Sequence, residues 1–385
     1  MKIVFNRQSI SEAISPLMCA VSGKSTMQSI EGILIEAVEP DTCTLTTYDL
    51  EKGVQITIHT EVIEGGSFII NAQKFNQTVK VMEGEDLTLT VGDDLTALFE
   101  AGKSSHKMSA LRGSDFPDLP KISGDHGFVI SQGVLKKMIN KTSHAMGNND
   151  PRPVLNGALF KITQNSLLTV TCDSYRLAKC WVETTVNNAG VEGSAVDHTF
   201  ILPVKTVSEL SRMLLDSEEE DARIFVSRKN IQMKLGDMTF FSRLIDGEYI
   251  DYDRVIVQNH RILVETDRTL LISALERAAL ITEEKIAHSV RSHVKLELDG
   301  EVMKILATST AGSTYDELTV DHEGDDLVIA FNNRYLLDSL RACTADRIKI
   351  SMTSALTSIN IEPADEETDE QNRELFMLLP VRMKE

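Results

Sequence analysis

Two spacings of apolar residues alternate along this chain, and together they predict its elements. Strand-like Lys2-Ile-Val-Phe5 leads into an amphipathic segment from Ser9 to about Val21. Its Ile10, Ile14, Leu17 and Met18 fall at helical spacing, with Ser9 or Ser11 as the expected cap. Strands are predicted over 32–37, 44–47, 53–58 and 67–70, and a second helix over 71–82, where Phe75, Val79 and Met82 share one face. More strands fill 87–111. The same order follows from Phe128: a helix over 131–146, strands over 156–162 and 167–171, a helix over 203–215, then strands over 223–227, 230–235 and 239–242. It returns once more from Ile262, with helices over 267–281 and 332–343 and strands at 293–298, 302–307, 347–351, 357–361 and 374–379.

The second helix of each third opens on a polar turn, at Asn71-Ala-Gln-Lys-Phe, Leu202-Pro-Val-Lys-Thr and Phe331-Asn-Asn-Arg-Tyr. Ala72, Pro203 and Asn332 mark intervals of 131 and 129 residues, a domain-sized period. The predicted architecture is α+β, with three repeated domains at 1–126, 127–258 and 259–385. In each, two helices pack on antiparallel sheets, since runs of strands between single helices disfavour a doubly wound parallel fold.

Charge changes this picture. The chain of 385 residues carries 39 Lys and Arg against 58 Asp and Glu, a net −19, which by itself argues against binding a polyanion. The acids gather in loop-like runs, Asp216-Ser-Glu-Glu-Glu-Asp221 and Asp365-Glu-Glu-Thr-Asp-Glu370, while several predicted helices lean the other way. The segment 131–146 holds Lys136, Lys137 and Lys141 and no carboxylate, opposite an apolar stripe of Val134, Leu135, Met138, Ile139 and Met146. The segment 71–82 has Lys74 and Lys80 and no acid; the segment 332–343 has Arg334 and Arg341 against Asp338. Any one basic helix reads as a solvated face. Recurrence at corresponding places in an acidic chain points to one positive surface that meets a polyanion.

Candidate chemistry is sparse. The phosphate-cradling, zinc-protease, nucleophile-elbow and calcium-loop motifs are missing, and the nine histidines are dispersed. Five scattered cysteines without a CxxC read as reduced thiols of a cytoplasmic protein. The first residues lack the ~7–15-residue apolar stretch of a signal peptide. Cys172, beside Asp173 and with His144 elsewhere, is the one candidate nucleophile, but it follows an apolar run and reads better as a packed small side chain. The expectation is no enzyme, no cofactor and no metal. The apolar ending Leu375–Met383 predicts a last strand that Pro380 terminates, leaving Val381 and Met383 to line a groove for a partner's apolar peptide.

Several short segments, in this order and spacing, resemble one family. They are Asp115-Phe-Pro117, Leu155-Asn-Gly157, Cys172-Asp-Ser-Tyr-Arg-Leu-Ala178, Asp246-Gly-Glu-Tyr-Ile-Asp-Tyr252, Phe331-Asn-Asn-Arg-Tyr335 and Leu379-Pro-Val-Arg382. The chain is similar throughout to the bacterial sliding clamps, the beta subunits of DNA polymerase III. The resemblance implies a head-to-tail homodimer, a six-part ring with helices lining the hole and sheets outside. It implies sequence-independent binding of double-stranded DNA, and partners among the replicative polymerase, the clamp loader and other proteins with a clamp-binding motif, with no membrane contact. It further implies a DNA-facing set of Lys24, Lys74, Lys80, Lys136, Lys137, Lys141, Asn149, Arg152 and Lys205.

The family's peptide groove maps here onto Leu155, Cys172, Ser174, Tyr175, Arg176, Leu177, Ile250, Arg254 and Val255. The rest maps onto Ile286, Asn332, Tyr335, Leu356, Ser358, Met377, Leu378, Leu379, Pro380, Val381, Arg382 and Met383. Such a groove suits a short motif with a Gln and apolar anchors. Ser174-Tyr175 stand where many members have Gly-His, and Ile250 where Pro is common, departures expected to retune peptide affinity.

Overall fold

Each third of the chain opens on a strand that runs directly into a helix: Lys2–Asn6 into Arg7–Leu17, Gly127–Ser131 into Gln132–Thr142, and Ile262–Asp267 into Arg268–Thr282. The computed structural model describes residues 1–282, 293–309, 312–364 and 372–383. Ile286, the acidic run Asp365–Glu370 and the pair Lys384-Glu385 lie outside the described residues. Three strands, a short strand and a fourth strand follow in every repeat. Then come the second helix (Ala72–Val81, Val204–Met213, Asn333–Ala342) and three more strands. All the strand ladders are antiparallel, as in the pairing of each opening strand with the strand after the second helix: Ile3 opposite Leu89, Phe128 opposite Ile224, Val264 opposite Ile350.

Caps explain the helix starts. Asn6, not Ser9 or Ser11, caps the first helix, because the strand runs straight into it with no spacer; the Asn6 side chain accepts from the backbone N–H of Gln8 and Ser9. Pro16 lacks an N–H, and the helix gives way to a 3-10 turn, Met18–Ala20, short of the predicted Val21. Asn71 and Asn332 cap the second helices of the first and third repeats through Lys74 and Tyr335. The true repeat positions are therefore Asn71, Pro203 and Asn332, each the last residue of its strand.

The strands Arg176–Glu183, Asp197–Pro203, Gly312–Thr319 and Leu327–Asn332 escape the apolar pattern. Arg176–Glu183 begins with helix-favouring residues, and Pro203 demotes its run. Leu327–Asn332 is continuously apolar, so it shows no alternation. Gly312–Thr319 has only Tyr315 and Leu318 as large apolar residues.

The chain divides into two compact units. The first, Met1–Gly133 with Asn187–Val196 and Arg212–Leu244, is one sheet of 14 strands with the helices Arg7–Leu17 and Ala72–Val81 against it. Phe5, Phe75, Phe99, Phe128 and Phe240 are fully buried there, each contributing roughly 1.5–3 kcal/mol by leaving water. Its seam joins two repeats: Met238–Arg243 pairs with Lys52–His59, Phe241 opposite Gly53.

The second unit, Val134–Val186 with Asp197–Ser211 and Ile245–Glu385, holds a sheet of nine strands and one of four. Its seam is equivalent: Asn372–Leu378 pairs with Arg176–Glu183, Met377 opposite Leu177. The third strand of each repeat thus takes a neighbour's last strand in two of three cases. In the third, Gly312–Thr319 is a sheet edge, paired among the described residues only with Val302–Ser309. Its would-be counterpart, Ser104–Arg112, pairs along one side with Thr96–Ala101, and on the other only through Ala110, Leu111 and Arg112. No helix among the described residues is long and apolar enough to cross a membrane.

Candidate functional site

The cations come first. Helix Ala72–Val81 buries Ala72, Phe75, Thr78 and Val79 and so turns Lys74 and Lys80 outward. Lys24 is exposed in the first unit's loop after the opening helix. In the second unit Lys137 and Lys205 are exposed on their helices, and Lys136 is half-buried. Asn149, exposed at φ 61°, and Arg152 follow on a turn. The Arg152 guanidinium is held by both Asp150 oxygens at 3.0 and 3.1 Å and donates to Ser174 Oγ at 3.0 Å, so it stands beside the groove residues.

Lys141 does not belong to a DNA-facing set. It is buried among the residues of the second seam and ion-paired with Glu374, which also accepts from Thr344. Helical spacing placed it at the border of the apolar stripe, and the distant carboxylate decides the border.

The residues that the resemblance assigns to a groove gather on the face of the seam that carries Cys172, Leu177 and Met377 in one cross-strand row. Leu155, Leu159, Val170, Ile201, Tyr252 and Ile256 pack with these three into one buried cluster, against which Val154, Ile245, Tyr249 and Ile250 lean. Leu155, Cys172, Leu177 and Met377 are therefore floor, while Val255 at the rim is exposed. Arg254 reaches only to Asp251, 3.7 Å away, and is exposed.

Next to Leu177 on the same strand, Arg176 is fixed on three sides. It donates to Asp173 at 3.1 Å and Asp338 at 2.8 Å, and its guanidinium lies 4.1 Å from the Tyr335 ring centroid. Two anions and a cation–π contact of ~0.5–2 kcal/mol leave its position determined before any partner arrives. Tyr175, next along, is 58% exposed with its ring 6.0 Å from that of Tyr335. These two tyrosines make an open aromatic shelf.

The chain's last described residues close the site. Leu379 N–H donates to Tyr175 O at 2.8 Å, and past Pro380 Val381 N–H donates to Ala330 O at 2.7 Å. Leu378 is buried, whereas Leu379, Arg382 and Met383 are exposed and Pro380 and Val381 half-buried. Asn332 is occupied as a helix cap, Ser358 is buried and Leu356 projects at 69% exposure. The structure thus brings the tail, Tyr175, Arg176 and Tyr335 together.

Sequence reasoning missed Tyr249, Tyr252 and Ile256, which wall the cluster, and Asp150, Asp173 and Asp338, which fix the two arginines. The segment Asp246–Tyr252 and the Asp within Cys172–Ala178 were the available signals.

The one thiol of this site is held protonated. Burial, with Asp173 adding to it, pushes the Cys172 thiol up to about 12, and the thiol donates to Asp173 O at 3.0 Å. A neutral, 5%-exposed thiol is not a nucleophile.

Against known proteins, the N-terminal, central and C-terminal domains of the DNA polymerase III beta subunit match residues 1–120, 129–251 and 253–377. The beta sliding clamp of Staphylococcus epidermidis is 28% identical over 392 residues, covering 99% of both chains. Among solved structures, the DNA polymerase sliding clamp of Bacillus subtilis aligns over 100% of both chains with TM-score 0.89 and 26% identity. The Pseudomonas aeruginosa sliding clamp bound to griselimycin does so with TM-score 0.87 and 27% identity. The chain belongs to the DNA polymerase III beta subunit family, the sliding clamps, and carries all three of its domains.

Proposed function

We propose that two copies of this chain close head to tail around duplex DNA and tether the replicative polymerase and other DNA-processing proteins to it. The observation that carries this reading is the pair of seams with a third left open. Gly312–Thr319 occupies the place of Lys52–His59 and Arg176–Glu183, and Ser104–Arg112 that of Met238–Arg243 and Asn372–Leu378. The open edges are complementary in charge: Lys103, His106 and Lys107 on one side, Asp316 and Glu317 on the other. In the register of the existing seams, Lys103 stands opposite Glu317 and Ser105 opposite Tyr315. Helix Arg268–Thr282, tied to the same edge by Arg277 and Asp316, leaves Leu280 77% exposed, which a second copy would cover.

The domains on this reading are 1–126, 127–258 and 259–385. Lys24, Lys74, Lys80, Lys136, Lys137 and Lys205 supply phosphate contacts that carry no sequence information, so the ring slides while it stays linked. It catalyses nothing itself. A polymerase held by its peptide in the groove rebinds before it diffuses away, which is processivity by effective concentration. The work is on cytoplasmic DNA, and opening the ring falls to a separate loader.

Retention on circular and on linearised DNA, after loading by a clamp loader with ATP, is the test. Retention on circles that is lost on linearisation supports topological linkage. Equal retention on both forms means ordinary electrostatic binding and ends the ring reading.

A further inference from the structure

The sheet face that carries Leu177 and Met377 continues past the groove. Along the two seam strands the same face next presents Lys179 and Leu375, then Trp181 and Arg373, because side chains alternate. Pairing extends that last row over four strands: Lys161 opposite Leu168, Leu168 opposite Trp181, Trp181 opposite Arg373. At ~3.3 Å per residue, the row stands about 13 Å from Met377, within reach of four extended peptide residues.

Its chemistry is apolar and cationic. The Arg373 guanidinium lies 5.6 Å from the Trp181 ring centroid. Lys161 Nζ donates to Tyr252 Oη at 3.1 Å, and Lys179 Nζ pairs with Asp253 at 2.6 Å. Lys161 and Arg373 are exposed, Leu168 and Trp181 half-buried. Asp253 already engages Lys179, Glu183 stands two residues beyond Trp181, and Glu362 lies on the strand Ile359–Pro363, opposite Leu375 in the register of Ile361 with Phe376.

The fold does not demand these residues. In the first unit's seam, Glu36 is opposite Thr44 and Thr44 opposite Thr57, whose N–H donates to Asp237 O at 3.4 Å. Counted from Gly53 and Phe241 as from Leu177 and Met377, Glu36, Thr44, Thr57 and Asp237 occupy the places of Lys161, Leu168, Trp181 and Arg373. The third repeat has Glu297, Lys304 and Glu317 in the first three places. Charged and small polar residues, Lys304 among them, therefore satisfy the same sheet geometry without an aromatic side chain. Leu168 and Leu375 pack against the buried cluster, but a half-buried tryptophan between two cations in a chain of net −19 calls for another reason.

We propose that the row Lys161–Leu168–Trp181–Arg373 is a second docking subsite, which takes an extended acidic flank of the partner peptide whose apolar anchor fills the groove. The proposal rests on the groove reading above. Charge complementarity and continuity with the groove favour a peptide; single-stranded nucleic acid, which could stack on Trp181, is the competitor.

Trp181 is the protein's one tryptophan, so its emission reports the row directly. Three synthetic peptides serve as probes at ~0.15 M salt: a Gln-plus-aliphatic anchor alone, the anchor extended by four Glu, and the anchor extended by four Ser, with extension at either end. The Glu-extended peptide is expected to bind about fivefold tighter than the Ser-extended one and to shift Trp181 emission, which the bare anchor leaves unchanged. Arg373→Asp with Lys161→Glu, which import the first seam's residues, should remove that preference and keep the bare anchor's affinity. Trp181→Thr, followed by calorimetry, should weaken it.

Equal affinity for Glu and Ser extensions, or a preference that survives the charge changes, overturns the subsite while the groove stands. Oligothymidylate that quenches wild type but not the charge variant, with no gain from Glu, assigns the row to nucleic acid instead. An anchor that fails to bind at all defeats the groove reading and the subsite with it.

Discussion

Lys141 and Glu374 are ion-paired with their side chains 4% and 1% exposed, one on the opening helix of the middle repeat and the other on the last strand of the third. Thr344 completes the carboxylate's shell through its N–H at 3.1 Å and its hydroxyl at 2.7 Å. Removing one partner of such a pair strands the other in the interior. Lys141→Met is expected to destabilise the second unit by roughly 3–5 kcal/mol, against ~0.5 kcal/mol or less for Lys137→Met one turn away. Urea unfolding of the two variants checks this. Lys137→Glu, by contrast, should leave unfolding unchanged and shorten retention on circular DNA at low salt, the difference from wild type shrinking as salt rises.

Acid should find the same pair. Burial alone pushes the Glu374 carboxyl up, but the bonds from Lys141 and Thr344 outweigh it and hold it below the usual carboxylate range. A depressed carboxylate stabilises above its unfolded pKa, and that stability drains as pH falls through the folded value. Melting temperature against pH should therefore fall below about pH 4.5 for wild type. Glu374→Gln should start lower and lack that part of the fall.

His144 acts at higher pH. Its ring as a whole is half-buried, but both nitrogens are sealed from solvent, and burial, with Arg176 adding to it, pulls its pKa down to about 4. The unfolded chain takes up this proton near pH 6.5 and the folded one resists it, so stability is full above that value and lost as pH falls toward 4. His144→Phe, beside Phe376 at 5.8 Å, should flatten the curve between those limits by up to roughly 3 kcal/mol.

Floor and rim of the groove should separate in mutation. Met383→Ala, exposed, is expected to weaken a Gln-plus-aliphatic peptide about tenfold without moving the melting temperature. Leu177→Ala, fully buried, should cost ~2–5 kcal/mol of stability and with it the site. Isothermal titration alongside thermal melts distinguishes the two effects.

The open seam makes a charge prediction. Lys103→Glu should raise the concentration at which sedimentation shows monomers, and Glu317→Lys should do the same. The two changes combined should recover part of the loss, since the swap restores an opposite pair. Failure of the double variant to recover would remove Lys103 and Glu317 from the interface.

Periodicity made the helices and the threefold order legible, because Phe75 and Val79, or Leu135, Met138 and Ile139, must share a buried face wherever the chain goes. It failed where a residue's environment is set from far away. Lys141 has the spacing of a border residue and becomes interior only through Glu374. Gly312–Thr319 is a strand with little apolar alternation, since its outer edge meets no neighbour in the chain. The groove residues were legible only as short segments resembling a family. Those segments carried Asp173 but not the rest of the anionic support, Asp150 and Asp338, because an acid near an arginine in space leaves no mark in spacing.

The second seam also sets a timetable. Arg176–Glu183 is synthesised early, yet its ladder partner is Asn372–Leu378, so Leu177 waits for Met377 before its edge is covered. Until then the ribosome presents a middle repeat with an unpaired strand edge, an apolar floor open to water and Lys141 without its counter-ion. Contacts of such long separation form slowly, and unprotected edges invite pairing with other chains. The nascent protein is therefore most exposed to aggregation in the interval between its second and third repeats, when a chaperone would have the most to hold.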